Sequence, residues 1–434
     1  MDKNLTDEIK KQSLSLLGFK FDGVDYYDDN ISTLHVNPMT ISPSMITGLL
    51  KTPAVSQTKD DDGDNNFKLS VKTQLSTDFY DNLGNKISDK TKTFCDIANN
   101  HPSPYKLKIS GDLTLTTQYG VPNSKEYNIS TTETLIQPSK EYLLPVTNQI
   151  CYLKPNLNDN TNAWLGLGAS SMWDPDRGFL VQSTEPSSYN KNFPTTGSNR
   201  LFFDISFITN TPLTWSNVSV GGITAKVSNI TNNSVRITLD GPYASVSQSD
   251  SNNPSPVAKP SLPAVFELEG KDSKNNTVIK YGFSLKQWFI HRYRWAIVGT
   301  QRNWCTHTGY YVPDVKDLTN AQGTSKDATD NKQIPSPPPI PTFPDQASAS
   351  TDNFYRRHIG AGLFTEWGSM GIYNDQGIIK DGHYDDPNNI DWRSYVGYWT
   401  NYDANTYHYH VDGGNGMVFV NPWDGGHYIS CKSN

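Results

Sequence analysis

Between residues 68 and 136, apolar and polar positions alternate in short runs: KLSVKTQL (68–75), YKLKISGDLTLTTQYG (105–120) and KEYNISTTETLI (125–136). A period of two marks strands with one solvated face. DNLGNK at 81–86 supplies turn chemistry between strands. The first thirty residues are loose by comparison, with one short helix predicted from Thr6 to Leu17. Together these runs define residues 1–155 as an N-terminal β-rich, sandwich-like domain.

Residues 156–283 carry five further short runs at regular spacing: RLFFDISFI (200–208), ITAKVSNI (223–230), SVRITLDGP (234–242), AVFELEGKD (264–272) and TVIKYGFSL (277–285). TNNS and SKNN read as their connectors, and this rhythm is that of an immunoglobulin-like sandwich. The block has no Cys…Trp…Cys set, which excludes an antibody-type domain. A Pro/Ser-rich loop, QSDSNNPSPVAKPSLP (248–263), interrupts it.

The third block, 284–434, opens with a pattern that predicts helices around Thr300–His307 and Asp314–Thr319. IPSPPPIPTFPDQ (334–346) must be an extended loop, because proline fixes φ and lacks a donor. Aromatic, glycine-rich runs follow and are read as strands: GAGLFTEWGSMGIY, YVGYWTNYD, TYHYHVDG, GMVFVNP and GHYISC. Alternation puts Tyr398, Tyr407 and Tyr409 on one face of their strands and Trp399 and His408 on the other.

Composition sharpens the class. Of 434 residues, 35% are hydrophobic, 19% charged and 12% aromatic, with turn and β formers in place of Ala, Leu, Glu and Lys, so the fold is expected to be mainly β. A net charge of −7 and the lack of a Lys/Arg cluster argue against nucleic acid as a partner. No apolar run is long enough to give a transmembrane segment. MDKNLTDEIKKQSLSLLGFKF lacks the form of a signal peptide, which leaves a cytosolic chain, another export route or an excised fragment.

The four cysteines, Cys95, Cys151, Cys305 and Cys431, include no CxxC pair, so disulfides fit better than a zinc site. Four cysteines allow three pairings. If domains fold separately, only Cys95–Cys151 with Cys305–Cys431 keeps each bridge within a domain.

Candidate chemistry is thin. Asp385, Asp386, Asn388 and Asp403 offer oxygens for Ca²⁺, against the simpler reading of an Asp/Asn-rich turn, which is preferred. DDDGDNN (60–66) lacks the glycine and terminal glutamate of an EF-hand loop and reads as a solvated acidic loop. His408, His410 and His427 could bind zinc, but ordinary packing is preferred. Glu366, in EWG, fits a buried carboxylate bonded to backbone better than a general acid. No G-x-S-x-G, HExxH or P-loop is present. The expectation is therefore no enzyme, no cofactor and no metal.

The third block resembles the C-type-lectin-like domain that ends invasin/intimin-type bacterial adhesins. The stretches that carry the resemblance are NWCTHTGYYVPDVKDLTNA (303–321), GAGLFTEWGSMGIY (360–373), YVGYWTN (395–401), HYHVDGGNGMVFV (408–420) and HYISCK (427–432). NFPTTGSNRLFFDISF (192–207) resembles the Ig-like domain that precedes it in such proteins. The resemblance covers residues 190–434; the outer-membrane barrel of full invasins has no counterpart here. It implies an Ig-like sandwich followed by an α+β lectin-like domain, a bridge between the first and last cysteines of that domain, Cys305 and Cys431, and no lectin calcium site.

Function is then expected to be receptor binding, with a host surface protein or glycan as partner and the chain secreted or on the bacterial surface. A secreted toxin or effector, and a phage or injection-particle fibre tip, are the alternatives; oligomeric state is left open. The loop between Tyr373 and Trp399 is the expected contact site, with Trp392 and Arg393 flanked by Asp385, Asp386, Tyr395 and, further on, Tyr402. The competing reading is that Trp392 plugs the loop onto the core.

Overall fold

The computed structural model describes residues 14–51, 67–71, 74–98, 100–117, 124–128, 139–157, 167–322, 325–326, 353–373, 392–394, 396–404, 407–421 and 425–433. It is mainly β, with short helices, and divides into two compact units: Met1–Gln149 with Phe207–Pro212, and Ile150–Ser206 with Leu213–Asn434.

In the first unit, Leu17–Phe21 pairs antiparallel with Val24–Tyr26 and with Thr47–Leu50. A second sheet joins Ser76–Tyr80, Tyr105–Ser110 and Lys140–Leu144, and a third joins Phe67–Val71, Asp112–Thr117 and Ser124–Asn128. The single alternating run from 105 is thus two strands in two sheets. The break falls at Gly111, where a Cβ would stand 2.7 Å from Leu75 Cδ2. Phe19, Phe79, Phe94, Tyr105, Leu107 and Ile109 are fully buried and form the core. Asp81 closes the turn foreseen at 81–86 by accepting the N–H groups of Leu83 and Asn85. Residues 14–16 are helical but Leu17 already begins a strand; most of the helix expected at 6–17 lies outside the described residues, as does the acidic run 60–66.

The second unit contains the sandwich. Its larger sheet has the order Trp173–Asp174, Gly178–Phe179, Gln149–Lys154, Phe202–Ile208, Ser234–Asp240, Ile223–Ser228, Val218–Val220. The hairpin of Ala264–Lys271 and Thr277–Leu285 faces it, with Phe203 edge-on to Phe283 at 6.0 Å and Phe266 stacked on Phe283 at 4.9 Å. All five runs read from the sequence are strands. The Pro/Ser-rich loop is more than a connector. It lies along the helix Val298–Thr308: Trp304 Nε1 donates to Gln248 O, Tyr310 Oη to Ala258 O, and Val257 N to Thr308 O.

A second seven-stranded sheet runs Thr196–Ser198, Gln287–Ile297, Gly426–Lys432, Gly397–Ala404, Tyr407–Asp412, Val418–Asn421, Ser325–Lys326. The terminal strand therefore sits near the middle of the sheet. Thr196–Ser198 pairs parallel with Gln287–Ile297 at its edge. Helices form at Val298–Thr308 and Val315–Leu318, close to the expected positions, the second capped by Asp314 with Asp317. GAGLFTEWGSMGIY does not form a strand. It forms a buried helix, Leu363–Trp367, followed by a 3₁₀ turn at Met370–Tyr373. Gly362 (φ 105°) and Gly368 (φ 78°) bracket the helix in backbone conformations that side-chain-bearing residues rarely adopt, so the strand cannot propagate through them.

Candidate functional site

The part of the second unit built on the second seven-stranded sheet is fastened at three places. Cys305, in the first helix, is bonded to Cys431 in the last strand across 126 residues, with Cα atoms 5.6 Å apart. Cys95 and Cys151 are also disulfide-bonded, and no cysteine is free.

The second fastening is Glu366, fully buried. Its Oε1 accepts from Thr195 Oγ1 (2.7 Å) and Gly360 N (2.7 Å), and its Oε2 from Thr196 N (2.8 Å) and Thr196 Oγ1 (2.5 Å). Thr195 N lies 3.1 Å from both oxygens. Such a carboxylate, ringed by donors, is a structural acceptor, and the adjacent Trp367 Nε1 adds a bond to Thr196 O.

The third is Arg292, only 2% exposed, which ties the Pro/Ser-rich loop by donating to Ser249 O, Ser251 O, Asn252 Oδ1 and Gln301 Oε1. Burial pulls its pKa down to about 10.

The expected contact residues do not all reach the surface. Trp392 is fully buried. Its ring stacks on His291 at 4.7 Å and lies 6.0 Å from Tyr398. The structure thus seats Trp392 as a plug beneath the sheet rather than as an exposed anchor, because the face carrying Tyr398 needs a large apolar cover there. Arg393 is partly exposed, with its guanidinium 5.4 Å from the Tyr428 ring centre. Tyr402 is half-buried and edge-on to Tyr409 at 5.0 Å. Asp385, Asp386, Asn388 and Tyr395 lie outside the described residues.

Asp403 is engaged on both oxygens by Arg302, at 2.6 and 2.7 Å, and by His408 Nδ1 at 2.8 Å. Burial alone would raise its pKa; the bonds from Arg302 and His408 outweigh that and hold it below the usual carboxylate range. Its lone pairs serve these partners rather than a cation. Among the described residues, no group of three or more His, Cys, Asp or Glu is placed to hold a metal ion.

The two sheet faces divide as alternation predicts. Tyr398 joins Trp392, His291 and Phe364 on one side. Trp399 meets His408, His410 and His427 on the other. There the His410 and His427 rings stack at 3.9 Å, 27° from parallel. Burial, then the neighbouring His427, drives the His410 pKa well down. These rings line a cleft of about 310 Å³ with Trp295, Val396, Gly397, Asp412, Phe419, Gly426 and Tyr428. Sequence reading missed this cleft. Its one signal was Trp295 in RYRWAI, but the bulge that turns Trp295 outward leaves no mark on alternation.

No family model matches this chain, and no curated protein matches it. Among solved structures it is similar to the C-terminal 282-residue fragment of intimin, in complex with the intimin-binding domain of the translocated intimin receptor, Tir. Identity is 11%, the match covers 85% of this chain and 86% of that one, and the TM-score is 0.33. A correspondence that loose transfers no residue role and no partner. Among the described residues, no helix is long and apolar enough to cross a membrane.

Proposed function

We propose that the chain is a receptor-binding protein of the adhesin type. Its lectin-like part contacts a protein or glycan on a host surface, and the chain is secreted or displayed on a bacterial surface. It acts by binding rather than by catalysis. The observation that supports this reading most is the Cys305–Cys431 bridge, which joins the first helix to the last strand as the resemblance to invasin/intimin-type lectin-like domains implies. A scaffold closed in this way leaves intervening loops available for recognition. The loop between Tyr373 and Trp399, with Asp385, Asp386, Arg393 and Tyr395, is the proposed contact, with Tyr402 at its margin.

The test is saturable binding of the fluorescently labelled full chain to cultured epithelial cells. Arg393→Ala with Asp385→Asn and Asp386→Asn is expected to weaken binding at least about tenfold, or about 1.4 kcal/mol, without moving the melting temperature. Trp392→Ala serves as the contrast: loss of a buried indole is expected to cost about 3–5 kcal/mol of stability. Absence of saturable binding to any cell type overturns the reading, and unchanged affinity of the triple variant removes the loop from it.

A further inference from the structure

The cleft on the histidine-bearing face has the build of a ligand site. Trp295 forms one wall and is 65% exposed, the most exposed tryptophan among the described residues. It lies in the bulge where the pairing of Gln287–Ile297 with Gly426–Lys432 breaks, between Arg292 and Ala296. A bulge leaves ladder groups unpaired and re-aims side chains. Here carbonyls in and beside the bulge are met from outside the ladder. Gln301, itself fully buried, donates through Nε2 to Arg294 O (2.6 Å) and His427 O (2.7 Å). Trp399 Nε1 donates to Ala296 O at 3.1 Å. The backbone on either side of Trp295 is therefore held in place before any ligand arrives.

Two glycines shape the cleft. A Cβ on Gly426 would stand 2.1 Å from Trp295 Cε2, so the indole lies directly against the backbone there. A Cβ on Gly397 would stand 2.4 Å from His410 Cδ2 and 2.7 Å from His427 Nδ1, so the imidazole pair needs that space too. Asp412 also lines the cleft. Its Oδ1 is fixed by the N–H groups of Gly414 (2.8 Å) and Asn415 (3.1 Å).

An exposed indole wall, further aromatic rings, a fixed carboxylate and imidazole nitrogens, in a volume fit for one ring-sized group, are the requirements for a sugar. The negative π face of an indole attracts the polarised C–H groups on one face of a pyranose, while a carboxylate and imidazoles take its hydroxyls. The carboxylate disfavours an acidic sugar. We infer that this cleft binds one neutral pyranose residue of a glycan, with Trp295 as the stacking platform and Asp412 as the hydroxyl acceptor. The inference rests on the receptor-binding reading and narrows it to a glycan in a cleft that takes Val396 and Gly397 from the end of the Trp392 loop.

The test uses the full chain and ligand-observed saturation-transfer NMR with four probes: methyl β-galactopyranoside, methyl β-glucopyranoside, methyl N-acetyl-β-glucosaminide and methyl α-mannopyranoside. At least one is expected to bind with Kd at or below about 10 mM, in the weak range usual for a single small ligand. Transfer should concentrate on the C–H protons of one ring face. Trp295→Ala is expected to weaken binding at least about tenfold, and Trp295→Phe by less. Gly426→Ala is a second route to the same loss, since it displaces the indole while keeping it. Because Trp295 is exposed, its replacement should leave the melting temperature unchanged. Failure of all four sugars to bind, or equal binding by Trp295→Ala, overturns the assignment. If cells still bind the chain saturably in that case, the receptor-binding reading stands and only the cleft assignment falls; if cell binding fails as well, both fall.

Discussion

Replacing Glu366 with alanine removes the shared acceptor of five donors: the N–H and hydroxyl groups of Thr195 and Thr196, and Gly360 N–H. The two hydroxyls can rotate towards other acceptors. The three backbone N–H groups cannot; those of Thr195 and Thr196 are buried with Glu366, while Gly360 is exposed to solvent. A buried donor left without a partner costs about 1–3 kcal/mol, so the two buried backbone donors give an expected loss of about 2–6 kcal/mol. For a unit of this size that corresponds to a fall in melting temperature on the order of 10 °C. Glu366→Gln gives an internal comparison. Its amide oxygen can keep the bonds made by Oε1, while its NH₂ meets Thr196 N–H donor to donor, so it should cost about 1–3 kcal/mol. Chemical denaturation of the three proteins, followed by tryptophan fluorescence, measures both differences. A loss below about 1 kcal/mol for Glu366→Ala, or a larger loss for glutamine than for alanine, would refute the reasoning.

The Cys305–Cys431 bridge spans 126 residues, and the chain-entropy model assigns it up to about 5 kcal/mol; Cys305→Ser should lower the melting temperature strongly, and an unchanged value in reducing buffer would count against it. His410 is held neutral by burial and by the adjacent His427, so its folded pKa lies below the unfolded value near 6.5. Its contribution to stability is therefore complete above about pH 6.5 and is lost as pH falls below that, no faster than about 1.4 kcal/mol per pH unit for one proton. His427, stacked on it, and Asp412, in the same cleft, are the titratable groups facing it, with His408 and Asp403 next to Trp399. His410→Phe should flatten that part of the stability–pH curve measured by urea denaturation; an identical curve would remove His410 as its source.

Much of the molecule was legible because its physics is local. Strands of period two in the sandwich follow from burial on one face, and Asp314 with Asp317 announces a helix start by chain-neighbour bonding. The buried role of Glu366 was readable from EWG, although its donors Thr195 and Thr196, about 170 residues earlier in the chain, were not. What failed to show depends on tertiary choices. Whether the glycines of GAGLFTEWG would take positive φ was not encoded in apolar alternation, so a helix was read as a strand. Trp392 sits in a polar, aspartate-rich stretch and looks like a surface residue until Tyr398 and His291 demand a cover. The partners of the Pro/Ser-rich loop were not legible because most of its contacts are made by its carbonyls, which every sequence has, to Arg292, Trp304 and Tyr310.

The parallel pairing of Thr196–Ser198 with Gln287–Ile297 has a mechanical meaning. If the chain is adhesive, as proposed, it works under tension, and two modules joined only by the short connector between Leu285 and Gln287 would stretch there first. In this chain a pull along Thr196–Ser198 instead loads the ladder bonds of that pair, the donors gathered on Glu366 and the loop carbonyls held by Arg292 at the same time. Bonds arranged side by side share a load that bonds in series must each carry in full. The sandwich and the second seven-stranded sheet should therefore yield together, as one stiff element, at a force set by the sum of those contacts.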